Sequence, residues 1–144
     1  MGVYTRFKKS PEGLRQLVEL LESTPKERRT KMIEVGMTED PEYTLRALEF
    51  ILTFEDLIRL SELELAELVA TAAPRTVGLS ISNQSDEIKA KFIRCCAAPR
   101  LVEVRNQSLA PASLREIGGA QLKIVEIARK LEKKGLLQVK KIPI

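Results

Sequence analysis

Apolar side chains recur along this chain at the three- and four-residue spacing of a helix, and no alternating run reads as a hairpin strand. Leu14, Leu17, Val18 and Leu21 make one such stripe, and Ser10-Pro11-Glu12 before it predicts a helix start with Ser as cap and Pro in the first turn. Thr24-Pro25-Lys26-Glu27 predicts a second start with a capping box, followed by an apolar face of Met32, Ile33 and Met37. Asp40-Pro41 opens a third helix, with Leu45, Leu48, Ile51 and Leu52 expected to point inward. Helices this short cannot hide their stripes alone, so residues 11–52 read as one armadillo-like three-helix unit.

Further starts follow at Thr53-Phe54-Glu55-Asp56, Ser61-Glu62-Leu63-Glu64, Pro74, Ser85-Asp86-Glu87, Pro99 and Ser113-Leu114-Arg115-Glu116. The first of these is a Thr-x-x-acid start, the Ser61 stretch is a capping box, and the Ser113 stretch caps the last helix. The last helix is the longest and stops at Gly135, a natural residue just past a helix end. Gly118-Gly119 interrupts its pattern, where each glycine costs about 1 kcal/mol against alanine; either the helix starts after them or a neighbouring helix packs closely there, and close packing is the expectation. Eight or so helices in series and no convincing hairpin make the fold class all-α.

Composition narrows the chemistry. The 144 residues contain no His, which excludes imidazole catalysis, Ser-His and Cys-His nucleophiles and His-containing zinc sites. Cys95 and Cys96 are adjacent, without the spacer of redox and metal motifs, and read as reduced helical residues with at least one facing the core. There is no phosphate-binding glycine loop, no metal site and no sign of a cofactor, a small-molecule substrate or catalytic residues. No apolar run reaches the length of a membrane span and the N-terminus lacks a signal core, so a cytoplasmic protein is expected, without direct membrane insertion. Charge is uneven: residues 1–74 carry 10 basic and 14 acidic side chains, residues 75–144 carry 14 and 6, a balance of −4 against +8. The basic half leaves open a nucleic-acid-binding module using Lys123, Arg129, Lys130, Lys133 and Lys134, although the Glu-bearing helix and the lack of aromatic platforms speak against it.

Four stretches, in order, resemble the C-terminal part of the flagellar motor switch protein FliG family. Lys8-Lys9-Ser10-Pro11-Glu12-Gly13 is similar to its linker, with Glu12 at the first glycine of a pair. Ile51-Leu52-Thr53-Phe54-Glu55-Asp56-Leu57 is similar to the M-F-x-F-E-D hinge segment. Ser85-Asp86-Glu87-Ile88-Lys89-Ala90-Lys91-Phe92 fits without a gap, and residues 120–135, from Ala120 to Gly135, resemble the closing helix and its glycine stop.

The resemblance implies a linker over 1–10, an armadillo-like three-helix unit over 11–52, a hinge-like junction at Ile51, Leu52, Thr53 and Phe54, a compact six-helix torque-type domain over 55–139, in right-handed superhelical stacking, and a tail over 140–144. It implies as partners another FliG-type subunit or a second copy, a FliM-type switch protein, and a MotA-type stator met through charged side chains. It also implies a cytoplasmic place at the flagellar basal body. At the positions of the family's charged set this chain has Ser82, Pro99, Asn106, Gln107 and Ser113, all uncharged. Arg100, Glu103 and Arg105 remain as partner-facing candidates on the torque helix, with Arg100 and Glu103 at pairing distance along a helix.

Overall fold

The computed structural model describes residues 3–140; residues 1 and 2 of the expected linker and 141–144 of the expected tail lie outside the described residues. The described residues form ten α-helices and no strand. The chain divides into two compact units, one running to Leu52 and taking in the chain from Val139, the other spanning Thr53–Gln138.

The first unit contains α1 (Val3–Lys9), α2 (Gly13–Ser23), α3 (Lys26–Glu39) and α4 (Pro41–Leu48). Its core is Tyr4, Leu17, Val18, Leu21, Ala47 and Ile51, flanked by Phe7, Leu14, Met32, Ile33, Tyr43, Leu48 and Phe50. Most of the stretch read as linker is thus helical and structural: Tyr4 is buried and its hydroxyl donates to the Met32 carbonyl. Two glycines permit this packing. A Cβ on Gly13 would lie 1.4 Å from the Phe7 carbonyl oxygen, and one on Gly36 would lie 2.5 Å from both the Tyr4 ring and Thr44 Oγ1.

Local capping went differently from expectation at the first two starts. Ser10-Pro11-Glu12 is a turn: helix α2 begins at Gly13 with Glu12 in the capping place and no side-chain cap. The Thr24 hydroxyl donates back to the Leu20 carbonyl at 2.6 Å, closing α2, and Pro25 takes the capping place of α3. Asp40 caps α4 as expected, accepting from the Tyr43 N–H, and also pairs with Lys8 at 2.8 Å. The stripe of α4 is also narrower than the pattern predicts. Leu48 is half-buried and Ile51 and Leu52 are buried, but Leu45 is 52% exposed, because α4 packs through Thr44 and Ala47.

The second unit contains α5 (Phe54–Ile58), α6 (Glu62–Thr71), α7 (Pro74–Ser80), α8 (Asp86–Arg94), α9 (Ala98–Leu109) and α10 (Leu114–Lys133). Thr53, Ser61, Ser85 and Ser113 each cap the helix that follows by accepting from the backbone N–H three residues on. Helix α10 buries Ile117, Ala120, Ile124, Val125, Ala128 and Leu131 and ends before Gly135, whose φ of 77° suits a residue without a Cβ. Phe54 and Phe92 stack with centroids 5.9 Å apart. The close helix approach occurs at Gly78 of α7, where a Cβ would stand 2.6 Å from the Val104 carbonyl oxygen and from Gln107 Cβ. Gly118 and Gly119, expected to serve this purpose, have nothing within 4 Å of an added Cβ; α10 runs through them with open space outside.

Two predictions follow from these contacts. Gly78→Ala should destabilise the protein by about 1–3 kcal/mol, since backbone must move to admit the methyl group. Gly118→Ala and Gly119→Ala should each stabilise it by up to about 1 kcal/mol through helix propensity; urea unfolding midpoints read both signs. The second concerns Asp40, whose carboxyl is held below its usual range, first by the Lys8 hydrogen bond and then by the Tyr43 N–H. Its lowered value means a stabilising contribution that is full above the unfolded-state pKa and lost as pH falls through the folded one. Lys8→Ala should raise the Asp40 pKa in a carboxyl NMR titration and reduce this acid-range contribution.

Candidate partner-binding surfaces

The junction residues divide between the units. Ile51, Leu52 and Phe54 are buried and Thr53 is half-buried. In the first unit the Leu52 N–H donates to Glu22 Oε1 at 2.7 Å. In the second, the Thr53 N–H donates to Asp56 Oδ2 at 2.9 Å, and the Asp56 N–H returns a bond to Thr53 Oγ1 at 3.4 Å, completing the capping box. Consecutive amides are therefore held by carboxylates of different units.

Helix α9 places the partner-facing candidates unequally. Glu103 and Arg105 are exposed, together with Val102, Asn106 and Leu109. Val102, Asn106 and Leu109 fall at helical spacing on one face, which is mostly apolar, with Val102 57% and Leu109 71% exposed. Arg100 is not part of it. Its Nη1 donates to the carbonyls of Val69 at 3.1 Å and Ala72 at 2.6 Å, at the C-terminal end of α6. No ion pair joins it to Glu103 among the described residues. Sequence spacing pairs Arg100 with Glu103 because it cannot see α6, whose last carbonyls have no partner within their own helix and favour a cation.

The uncharged positions are scattered. Pro99 and Ser113 are exposed at the starts of α9 and α10, and Asn106 is exposed on α9. Gln107 is half-buried beside Gly78, and Ser82 follows α7 with its hydroxyl buried and facing no hydrogen-bond partner among the described residues.

Several basic side chains of the +8 half do structural work. Lys91 Nζ donates to the Ile58 and Leu60 carbonyls, each at 2.7 Å, at the end of α5. Arg129 is buried and pairs with Glu132 at 3.1 Å. Lys123 and Lys130 both approach Glu126 at 3.5 Å. Of the five residues proposed for phosphate contact, three approach carboxylates, Arg129 in a buried pair and Lys123 and Lys130 on the exposed side of α10. Cys95 and Cys96 are free and half-buried, neither sealed in the core, and burial raises both thiol pKa values. Among the described residues no group of three or more His, Cys, Asp or Glu is placed to hold a metal, and no helix is long and apolar enough to cross a membrane.

Four large apolar side chains of the first unit reach solvent. Leu20 on α2, Val35 and Met37 on α3 and Leu45 on α4 are 38%, 50%, 39% and 52% exposed. Met37 and Leu45, which periodicity places on the inward faces of their helices, are among these exposed side chains.

Among the described residues these features define an all-helical protein of two compact units with exposed helix faces. The FliG C-terminal domain family matches residues 37–139, and the chain belongs to that family. It is 29% identical over 130 residues to the flagellar motor switch protein FliG of Aquifex aeolicus, covering 89% of this chain and 40% of the relative. It is 24% identical over 136 residues to the flagellar motor switch protein FliG of Thermotoga maritima, covering 93% of this chain and 41% of the relative. The chain therefore spans about two fifths of the length of these curated relatives. A crystal structure of a FliG fragment from H. pylori shares the fold with a TM-score of 0.66 at 20% identity, over 95% of this chain and 66% of that one. Full-length FliG from Aquifex aeolicus matches with a TM-score of 0.54 at 28% identity, over 88% of this chain and 40% of that one.

The role found for Arg100 carries a prediction. Arg100→Ala should cost about 1.5–3 kcal/mol, the range for hydrogen bonds to charged groups. Glu103→Ala and Arg105→Ala should each stay within about 0.5 kcal/mol of the parent, as exposed positions do. Thermal or urea unfolding of the three variants separates an internal cap from a surface charge.

Proposed function

We propose that this chain is a non-catalytic component of a flagellar motor switch, working through protein contact at the rotor, at the cytoplasmic side of the flagellar basal body. The observation that carries this reading is the family match over residues 37–139, which takes in parts of both units. The first unit acts as the armadillo-like stacking element. Its exposed Leu20, Val35, Met37 and Leu45 offer apolar contacts to a second FliG-type subunit or a FliM-type switch protein. The second unit is the torque-type domain, and residues 51–54 are the hinge between them, with the torsion change absorbed near Thr53.

Toward a MotA-type stator this chain presents an altered face. Recognition between exposed charges depends on the pattern of signs, because each pair is weak and screened over about 8 Å at physiological salt. The positions matched to the family's charges are uncharged, Arg100 is bound to α6, and only Glu103 and Arg105 stand among Val102, Asn106 and Leu109 on the exposed side of α9. A domain of this kind assembles on the rotor without reproducing alternating attraction. Swapped for the matching region of a conventional motor switch protein, it should incorporate into the switch, seen by co-purification with the rotor, yet fail to support swimming. Ser82→Lys, Asn106→Asp and Gln107→Asp together should restore part of the motility. Full motility from the unmodified swap would refute the altered-face reading, and failure to incorporate would refute the switch role itself.

A further inference from the structure

The peptide group joining Ile51 to Leu52 is gripped at both polar ends by side chains of opposite charge. Its N–H donates to Glu22 Oε1 at 2.7 Å, and its carbonyl accepts from Lys140 Nζ at 3.4 Å. Glu22 belongs to α2 and is 8% exposed, whereas Lys140 arrives from the other end of the chain, 89 residues beyond Ile51. The route it takes is defined. After α10, Leu137 is buried, and the Gln138 N–H donates to Glu64 Oε2 at 2.8 Å within the second unit. Val139 and Lys140 then group with the first unit. The chain therefore passes between the units twice, once at Leu52–Thr53 and again at Gln138–Val139.

We propose that the segment Gln138–Lys140 is a second tether, which clasps the Ile51–Leu52 peptide and restrains motion at the junction. This rests on the reading of residues 51–54 as a hinge. A carboxylate on the N–H and an ammonium on the carbonyl both reinforce the dipole of one peptide group, and hydrogen bonds to charged partners are the stronger kind. A torsion change at Ile51 would rotate that peptide plane and break both bonds together, so the clasp confines movement at the junction to the residues that follow it. The adjacent Thr53 N–H is held separately by Asp56 of the second unit, so the clasp sets the first-unit border of any movement. A chain crossing twice also has fewer relative motions open to it than one crossing once, since the loop between the crossings is closed by the tether.

The test uses the full chain with Lys140→Ala and Lys140→Arg, the latter keeping a cationic donor. Amide hydrogen exchange at Leu52 reads the clasp, and nitrogen-15 relaxation of each unit reads the hinge. Lys140→Ala should speed exchange at Leu52 by about tenfold, the loss of one charge-assisted hydrogen bond, and leave exchange at Thr53 unchanged. Lys140→Arg should retain most of the protection. The rotational correlation times of the two units should shorten in Lys140→Ala, as their motions come apart. Unchanged exchange at Leu52 in Lys140→Ala overturns the clasp, whatever the relaxation data show. Faster exchange at Leu52, with both units tumbling as one body in parent and variant alike, overturns the hinge reading and the restraint with it, while the contact itself stands.

Discussion

A chain that folds as many short helices must satisfy many helix ends, and that requirement organises the second unit. Each helix leaves backbone carbonyls unbonded at its C-terminus, and partial negative charge gathers there. In this unit long side chains from elsewhere in the sequence supply the donors: Lys91 for the end of α5, Arg100 for the end of α6 and Gln121 for the Ser80 carbonyl at the end of α7. These bonds join elements 28 to 41 residues apart and fix where α8, α9 and α10 pack on the earlier helices. They contribute through the avoided cost of orphaned carbonyls as much as through their own strength.

The same constraint decides how much of the positive charge faces outward. Lys91 and Arg100 are committed to carbonyls, Arg129 to a buried pair with Glu132, and Lys123 and Lys130 to a shared approach on Glu126. A net charge counted along the sequence therefore overstates what a partner meets. Helix α9 shows the result, because its exposed side mixes Glu103 and Arg105 with Val102, Asn106 and Leu109.

Glycine usage follows a parallel logic. Gly13, Gly36 and Gly78 sit where another backbone or ring comes within van der Waals distance of the missing Cβ, and helices cross there more closely than larger residues permit. The adjacent pair Gly118-Gly119 draws attention in the sequence but borders open space. A single glycine in an unremarkable context can matter more to packing than a conspicuous pair, since the neighbour that demands it lies far along the chain. For Gly78 that neighbour is α9, and for Gly36 it is Tyr4 and Thr44.

The sequence by itself determined the helical class, most of the starts and the absence of histidine chemistry. Caps at Asp40, Thr53, Ser61, Ser85 and Ser113 were legible because a cap is a bond between a side chain and an amide three residues away. The family resemblance was legible for the same reason, through runs of adjacent residues at the junction and in α10. Even local rules failed where two helices competed for one residue: Thr24 closes α2 instead of opening α3. Tertiary structure alone decided that Leu45 faces outward, that the linker stretch forms a helix anchored by Tyr4, that Arg100 turns to α6, and that Glu22 and Lys140 meet at one peptide group. Helical periodicity says which residues share a face, but only the packing of distant helices says which face is covered and which carbonyl lacks a partner.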